Sequence, residues 1–292
     1  MMSELKVFKL ADLPRERRLH EKRMERWSIR TKQAQIVFGV ITPQPLEQQR
    51  NHRDPHDHPY DMLLVVLGGT MMQDVEGVDY KLDAGTAMVV PAYFMHRGYA
   101  YGSTPAYLFE VFAPARRDYI DLVEYQTDFS DKGEDWVKEG TFTTNSFAGN
   151  DPTKPRLPVY KLAEMPAETS SGFNRVQRRS IRTKFAQVIW TEMTPGADGS
   201  PQTPARTEKL AYDRLIIVNK GGLRLKTAQR DYNLPEGTCV VVPPHLPHSV
   251  EFERVPTSLI EVYAPPRRDY LSLVKHQSEQ FGDEGKVWVE PS

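Results

Sequence analysis

The chain is one unit written twice, and this duplication restricts its fold more than any other feature. VFKLADLP at residues 7–14 matches VYKLAEMP at 159–166, an offset of 152 residues. SIRTKQAQIVFGVITP, starting at Ser28, matches SIRTKFAQVIWTEMTP, starting at Ser180, with nine of sixteen positions identical. YDMLLVVLGG at 60–69 matches YDRLIIVNKG at 212–221, and LDAGTAMVVP at 82–91 matches LPEGTCVVVP at 234–243. EVFAPARRDYIDLVEYQ from Glu110 matches EVYAPPRRDYLSLVKHQ from Glu261, after one extra residue in the first copy. Solenoid repeats are short, roughly 20–50 residues, so a period this long means a duplicated domain. At roughly 150 residues per domain, the 292 residues hold two. The polar, Pro-rich segment GNDPTKPRLP at 149–158 sets the expected boundary, with one domain over 1–150 and the other over 151–292.

Each copy reads as β-rich. Residues 34–41, 61–69, 78–85, 86–91 and 106–114 are short runs of β-branched and aromatic residues between turn signals. Some alternate, and others are continuously apolar, as expected for two-sided burial in a sandwich or barrel. Residues 116–126 and their twin at 267–277 have helical spacing. The charged stretch PRERRLHEKRMERW from Pro14 reads as a helix or an ordered arm. The fold class is therefore mostly β: two tandem barrels or jelly rolls, each closed by a short C-terminal helix.

Composition then narrows the function. Lys plus Arg is 38 and Asp plus Glu is 39, so charge offers no case for nucleic acid or an anionic membrane surface as partner. The one cysteine, Cys239, excludes an internal disulfide framework and a Cys-rich zinc site. It replaces Ala87 of the first copy and reads as a small buried residue. No apolar run reaches the ~20 residues needed to span a bilayer. The charged N-terminus carries no secretory apolar core, which leads us to expect a cytoplasmic protein. A homodimer is compatible with the sequence.

Three of the eight histidines crowd into NHRDPHDHPYD at 51–61, as His52, His56 and His58. On an extended strand, residues i and i+2 share a face with Cβ atoms about 7 Å apart, close enough for two imidazoles to share one ion. A third ligand must come from another strand, and His96, just after a strand and a Pro turn, is the candidate.

These residues resemble the cupin pattern. His-x-His at 56–58 precedes an apolar strand ending at Gly69, and Gly85-x5-Pro91-x4-His96 follows. The second copy keeps Gly221 and Gly237-x5-Pro243-x4-His248. The resemblance covers both halves, so the chain is similar to a bicupin. It implies metal ligation by His56, His58 and His96. The position where the family usually has a Glu ligand is Met62, a soft and unusual ligand. Asp61 and His52 are weaker candidates. The expected site is three neutral imidazoles plus water, holding one divalent transition metal, with Fe first and Mn, Ni, Zn or Cu as alternatives. In the second copy the matching positions are Glu208, Leu210, Arg214 and His248, so no metal is expected there. Asp61 and Asp213, Glu110 and Glu261, and Arg116 and Arg267 recur in both copies, which reads as architecture.

Tyr93, Tyr99 and Met62 form the expected substrate pocket beside the metal. Three imidazoles leave the ion's full +2 charge and two or three open positions, which favours an anionic or enol-containing bidentate substrate. The expected reaction is of non-haem dioxygenase type. The alternative is a bicupin that binds a sugar or carboxylate, or a sugar isomerase or epimerase without redox chemistry.

Overall fold

The computed structural model describes residues 4–17, 24–43, 55–129, 156–170, 175–196 and 207–278. The fold is mostly β, with all sheets antiparallel, and divides into two compact units. One spans residues 14–30 and 34–164; the other spans 1–13, 31–33 and 165–292. The boundary expected at 149–158 falls largely outside the described residues.

In the first unit a seven-stranded sheet runs in the order Val159–Lys161, Thr86–Val90, Met62–Gly68, Ala106–Phe112, Gln35–Ile41, Met24–Arg30, Glu16–Arg17. A three-stranded sheet, Val78–Asp83, Thr70–Val75, His96–Ala100, completes it. The second unit repeats both sheets, with Val7–Lys9 on the edge beside Thr238–Val242. Each large sheet thus takes its first edge strand from the segment at the head of the other sequence copy.

All five strands expected in the first copy are present. The run Met62–Val66 is buried at every residue, as a strand covered on both faces must be. Leu64, Val66, Met88, Val90, Val75 and Leu82 fill the space between the two sheets. Gly69 ends that strand with a φ of +69°, and a Cβ there would run into the Pro105 carbonyl oxygen. Gly221 repeats both features beside Pro256. Only glycine satisfies both demands at this turn.

Two local expectations change. The charged N-terminal stretch is not a helix: Glu16–Arg17 and Met24–Arg30 are strands. In Met24–Arg30 the residues Met24, Arg26 and Ser28 are buried on alternate positions, so a strand period underlies the charge. The closing helices are present but are 3₁₀ in character, over Arg117–Val123 and Arg268–Gln277.

The repeated residues at the copies' ends have a structural cause. The Arg30 N–H donates to Gln126 Oε1 at 2.7 Å, and Gln126 Nε2 donates to the Arg30 carbonyl at 2.9 Å. Gln277 clasps Arg182 in the same way, at 2.7 and 3.0 Å. Gln35 Oε1 accepts from the Arg116 N–H at 3.0 Å, and its twin Gln187 accepts from Arg267 at 2.8 Å. Each amide pins a closing helix to the sheet and satisfies buried backbone groups. No helix of the described residues is long and apolar enough to cross a membrane.

Candidate metal centre

His56 and His96 face each other across an isolated antiparallel bridge. His56 N–H donates to the His96 carbonyl at 3.0 Å, and His96 N–H returns the bond at 2.9 Å. His58 lies two residues on, and the Tyr93 N–H donates to its carbonyl at 2.8 Å. The imidazole centroids are 4.5 Å apart for His56 and His96, and 4.8 Å apart for His58 and His96. One ring nitrogen from each of the three lies within 4.8 Å of the others. Two strand ends and a Pro-terminated loop thus bring together residues some forty positions apart.

Neighbouring carbonyls set the tautomers. His58 Nδ1 lies 2.6 Å from the Tyr60 carbonyl, and His96 Nδ1 lies 2.8 Å from the Phe94 carbonyl. A carbonyl only accepts, so Nδ1 carries the proton in each ring and Nε2 presents its lone pair. This is how metal-binding histidines are usually oriented. The His58 ring stacks on Tyr60 at 4.5 Å and meets Phe112 edge-on at 5.7 Å. His58 is 3% exposed, and its Nε2 is buried without a hydrogen-bond partner among the described residues. Burial first, then the proximity of His96 and Arg116, pushes its pKa down to about 2. The ring is therefore neutral at physiological pH, as a ligand must be. A buried, neutral nitrogen left without a donor fits a divalent transition metal.

Asp61 lies outside this cluster; its Oδ1 accepts from the Ala92 N–H at 3.1 Å. His52 lies outside the described residues. Met62 is 2% exposed and lines the cavity beside the histidines. Tyr93 sits in a turn with a φ of +64° and is 68% exposed, and Tyr99 is half-buried on the His96–Ala100 strand. Neither tyrosine lines the cavity, whereas Gly98 does.

Other wall groups were not anticipated. Arg26, Gln73, Glu110, Arg116 and Tyr119 all face the cavity with His56 and His96. The described residues leave about 20 Å³ open to the centre of a water-sized group, so the cavity holds a small occupant. Comparison of the copies carries the missed signal. Gln73 and Gly98 of the first copy are Leu225 and Val250 in the second, a polar and open wall against an apolar and filled one.

The second copy keeps the framework with different contents. Glu208 and His248 form the same isolated bridge, with bonds of 2.7 and 2.9 Å. Arg214, in the place of Met62, donates from Nη1 to Glu208 Oε2 at 2.9 Å and lies 3.0 Å from His248 Nε2. Its Nε donates to Glu261 Oε1 at 3.0 Å.

No protein-family model matches the sequence, and no curated protein matches it either. Solved structures do match. A Bacillus subtilis oxalate decarboxylase described with Mn(II) centres superposes with a TM-score of 0.59 at 15% identity, covering 100% of this chain and 89% of that one. The formate complex of a Lactobacillus farciminis oxalate decarboxylase gives 0.58 at 13% identity, covering 96% and 94%. AerE from Microcystis aeruginosa gives 0.53 at 11% identity, covering 86% and 97%. The chain has the fold of these proteins over nearly its whole length, in keeping with the cupin-type, two-unit architecture.

Proposed function

We propose that the protein is a cupin metalloenzyme that acts on a small carboxylate at a single site, built by His56, His58 and His96. The observation that carries this reading is the buried, unpartnered Nε2 of His58, converging with two further imidazoles. A divalent ion bound there would act as a Lewis acid and leave positions open for substrate. The wall adds two guanidiniums, Arg26 and Arg116, against one carboxylate, Glu110. That balance, with three neutral ligands, favours an anion.

The reaction proposed is carbon–carbon bond cleavage, in one of two forms. Decarboxylation is supported by the oxalate decarboxylases that share the fold. It releases carbon dioxide, leaves the bonding electron pair on the remaining fragment, which takes up a proton to form the new C–H bond, and needs no net oxidant. Dioxygenation, with dioxygen as the oxidant, is the second form, because three imidazoles would leave positions open on the ion for both dioxygen and substrate. Manganese and iron are the metals proposed, manganese because the Bacillus subtilis neighbour carries Mn(II). Metal-stripped protein is to be reloaded with Mn(II) or Fe(II) and given oxalate, with formate, carbon dioxide and dissolved oxygen followed together. Turnover of oxalate or a related small carboxylate, lost in His58→Ala, supports the reading. Failure of every small carboxylate and enol offered to metal-loaded protein contradicts it.

A further inference from the structure

Arg26 is a buried cation on this cavity wall. It is 2% exposed, in the strand Met24–Arg30. Among the described residues its buried Nε and Nη1 have no hydrogen-bond partner, and Nη2 reaches the Met24 thioether, at 3.0 Å. A thioether is a weak acceptor and does not offset a buried charge. The guanidinium also stacks over Tyr119, its carbon 5.0 Å from the ring centroid. Arg116 covers the same ring at 4.3 Å, so two cations flank one aromatic group. In the second copy Arg178, the twin of Arg26, also lies over a tyrosine, Tyr270 at 5.9 Å, with its Nε buried and without a hydrogen-bond partner among the described residues. Arg214, by contrast, is held by Glu208 and Glu261. What distinguishes Arg26 is that Nη1 is left unpaired as well among the described residues, and that it lines the cavity beside the histidines.

We propose that Arg26 is the anchor for an anionic group of the substrate, the carboxylate oxygens taking the donors that the protein leaves unpaired. This deepens the proposed function and rests on it for the second contact. The substrate is then a small molecule with two oxygen-bearing ends close together, one directed to the histidine cluster and the other held by Arg26. Guanidinium and carboxylate are matched in charge and shape, and the enclosed site strengthens the pair.

The test uses the full chain as wild type, Arg26→Met and Arg26→Lys, each both loaded with Mn(II) and stripped of metal. Oxalate, a dianion, and acetate, a monoanion, are titrated calorimetrically, and thermal midpoints and metal content are read in parallel. Arg26→Met is expected to keep the wild-type metal content, to lose at least tenfold in oxalate affinity, and to melt higher than wild type. A gain in stability with a loss of binding is what a structural role would not give. Arg26→Lys, which keeps the charge, is expected to bind with intermediate affinity, and it carries the test if Arg26→Met fails to fold. Unchanged oxalate affinity in both variants, or no binding of either anion by wild type in any form, overturns the proposal. Arg26-dependent anion binding in a protein that takes up no metal would sustain the anchor while sinking the metalloenzyme reading.

Discussion

Arg214 Nη1 lies 3.0 Å from His248 Nε2, the nitrogen whose counterpart on His96 faces the metal-site cluster in the first copy. A side-chain cation thus stands in the second copy where the first copy converges lone pairs. Glu208, the twin of His56, accepts from the same Nη1 at 2.9 Å. One scaffold therefore carries two solutions to the same interior, one with three converging imidazoles and one with a cation built in.

The built-in cation should be costly to remove. Arg214 is buried with Glu261, which is 4% exposed. Arg214→Met strands that carboxylate in the interior and is expected to cost about 3–5 kcal/mol. Replacing both, as Arg214→Met with Glu261→Gln, should recover most of the loss. Chemical denaturation of the three proteins checks this, and equal losses in the single and double variants would contradict it.

Acid should act through the same pair. Burial alone pushes the Glu261 carboxyl up, but Arg214 and the Tyr263 hydroxyl outweigh it and bring the pKa from 4.5 to about 2. A depressed carboxyl stabilises the fold above its unfolded pKa. That contribution, about 3 kcal/mol, is lost as pH falls from 4.5 towards 2. Carbon-detected NMR titration of Glu261 should show the low midpoint, and in Arg214→Met the midpoint should rise above 4.5.

Gly98 tests the cavity. A Cβ added there meets the ends of two flexible side chains, Gln73 Oε1 at 2.7 Å and Met71 Cε at 2.8 Å. Both can shift, so Gly98→Ala is expected to cost less than about 1 kcal/mol. The shift consumes room in a cavity of about 20 Å³, so kcat/KM should fall by about tenfold with metal content unchanged. Undiminished activity would place the reacting site elsewhere.

The sequence carried the duplication, the strands and the three histidines because each has a local pattern: a period, an alternation or a fixed spacing. Thr70–Val75 and His96–Ala100 were not expected as strands, because their polar and small residues, Gln73 and Gly98 among them, dilute the strand signal. Arg26 was hidden for a related reason. In a run as charged as PRERRLHEKRMERW, nothing local singles out the arginine that turns inward. Only the alternation of Met24, Arg26 and Ser28, combined with knowledge of which face meets the core, does so. Tyr93 and Tyr99 show the converse, since closeness to His96 in sequence did not put them on the cavity wall.

The central claim is tested most directly by elemental analysis of untagged protein, wild type beside His56→Ala/His58→Ala, both purified with Mn(II) and Fe(II) supplied in the growth medium. The account predicts close to one transition-metal ion per chain in wild type and almost none in the double variant, with both proteins equally folded by circular dichroism. Metal absent from wild type even after reconstitution, or retained in the double variant, would contradict it.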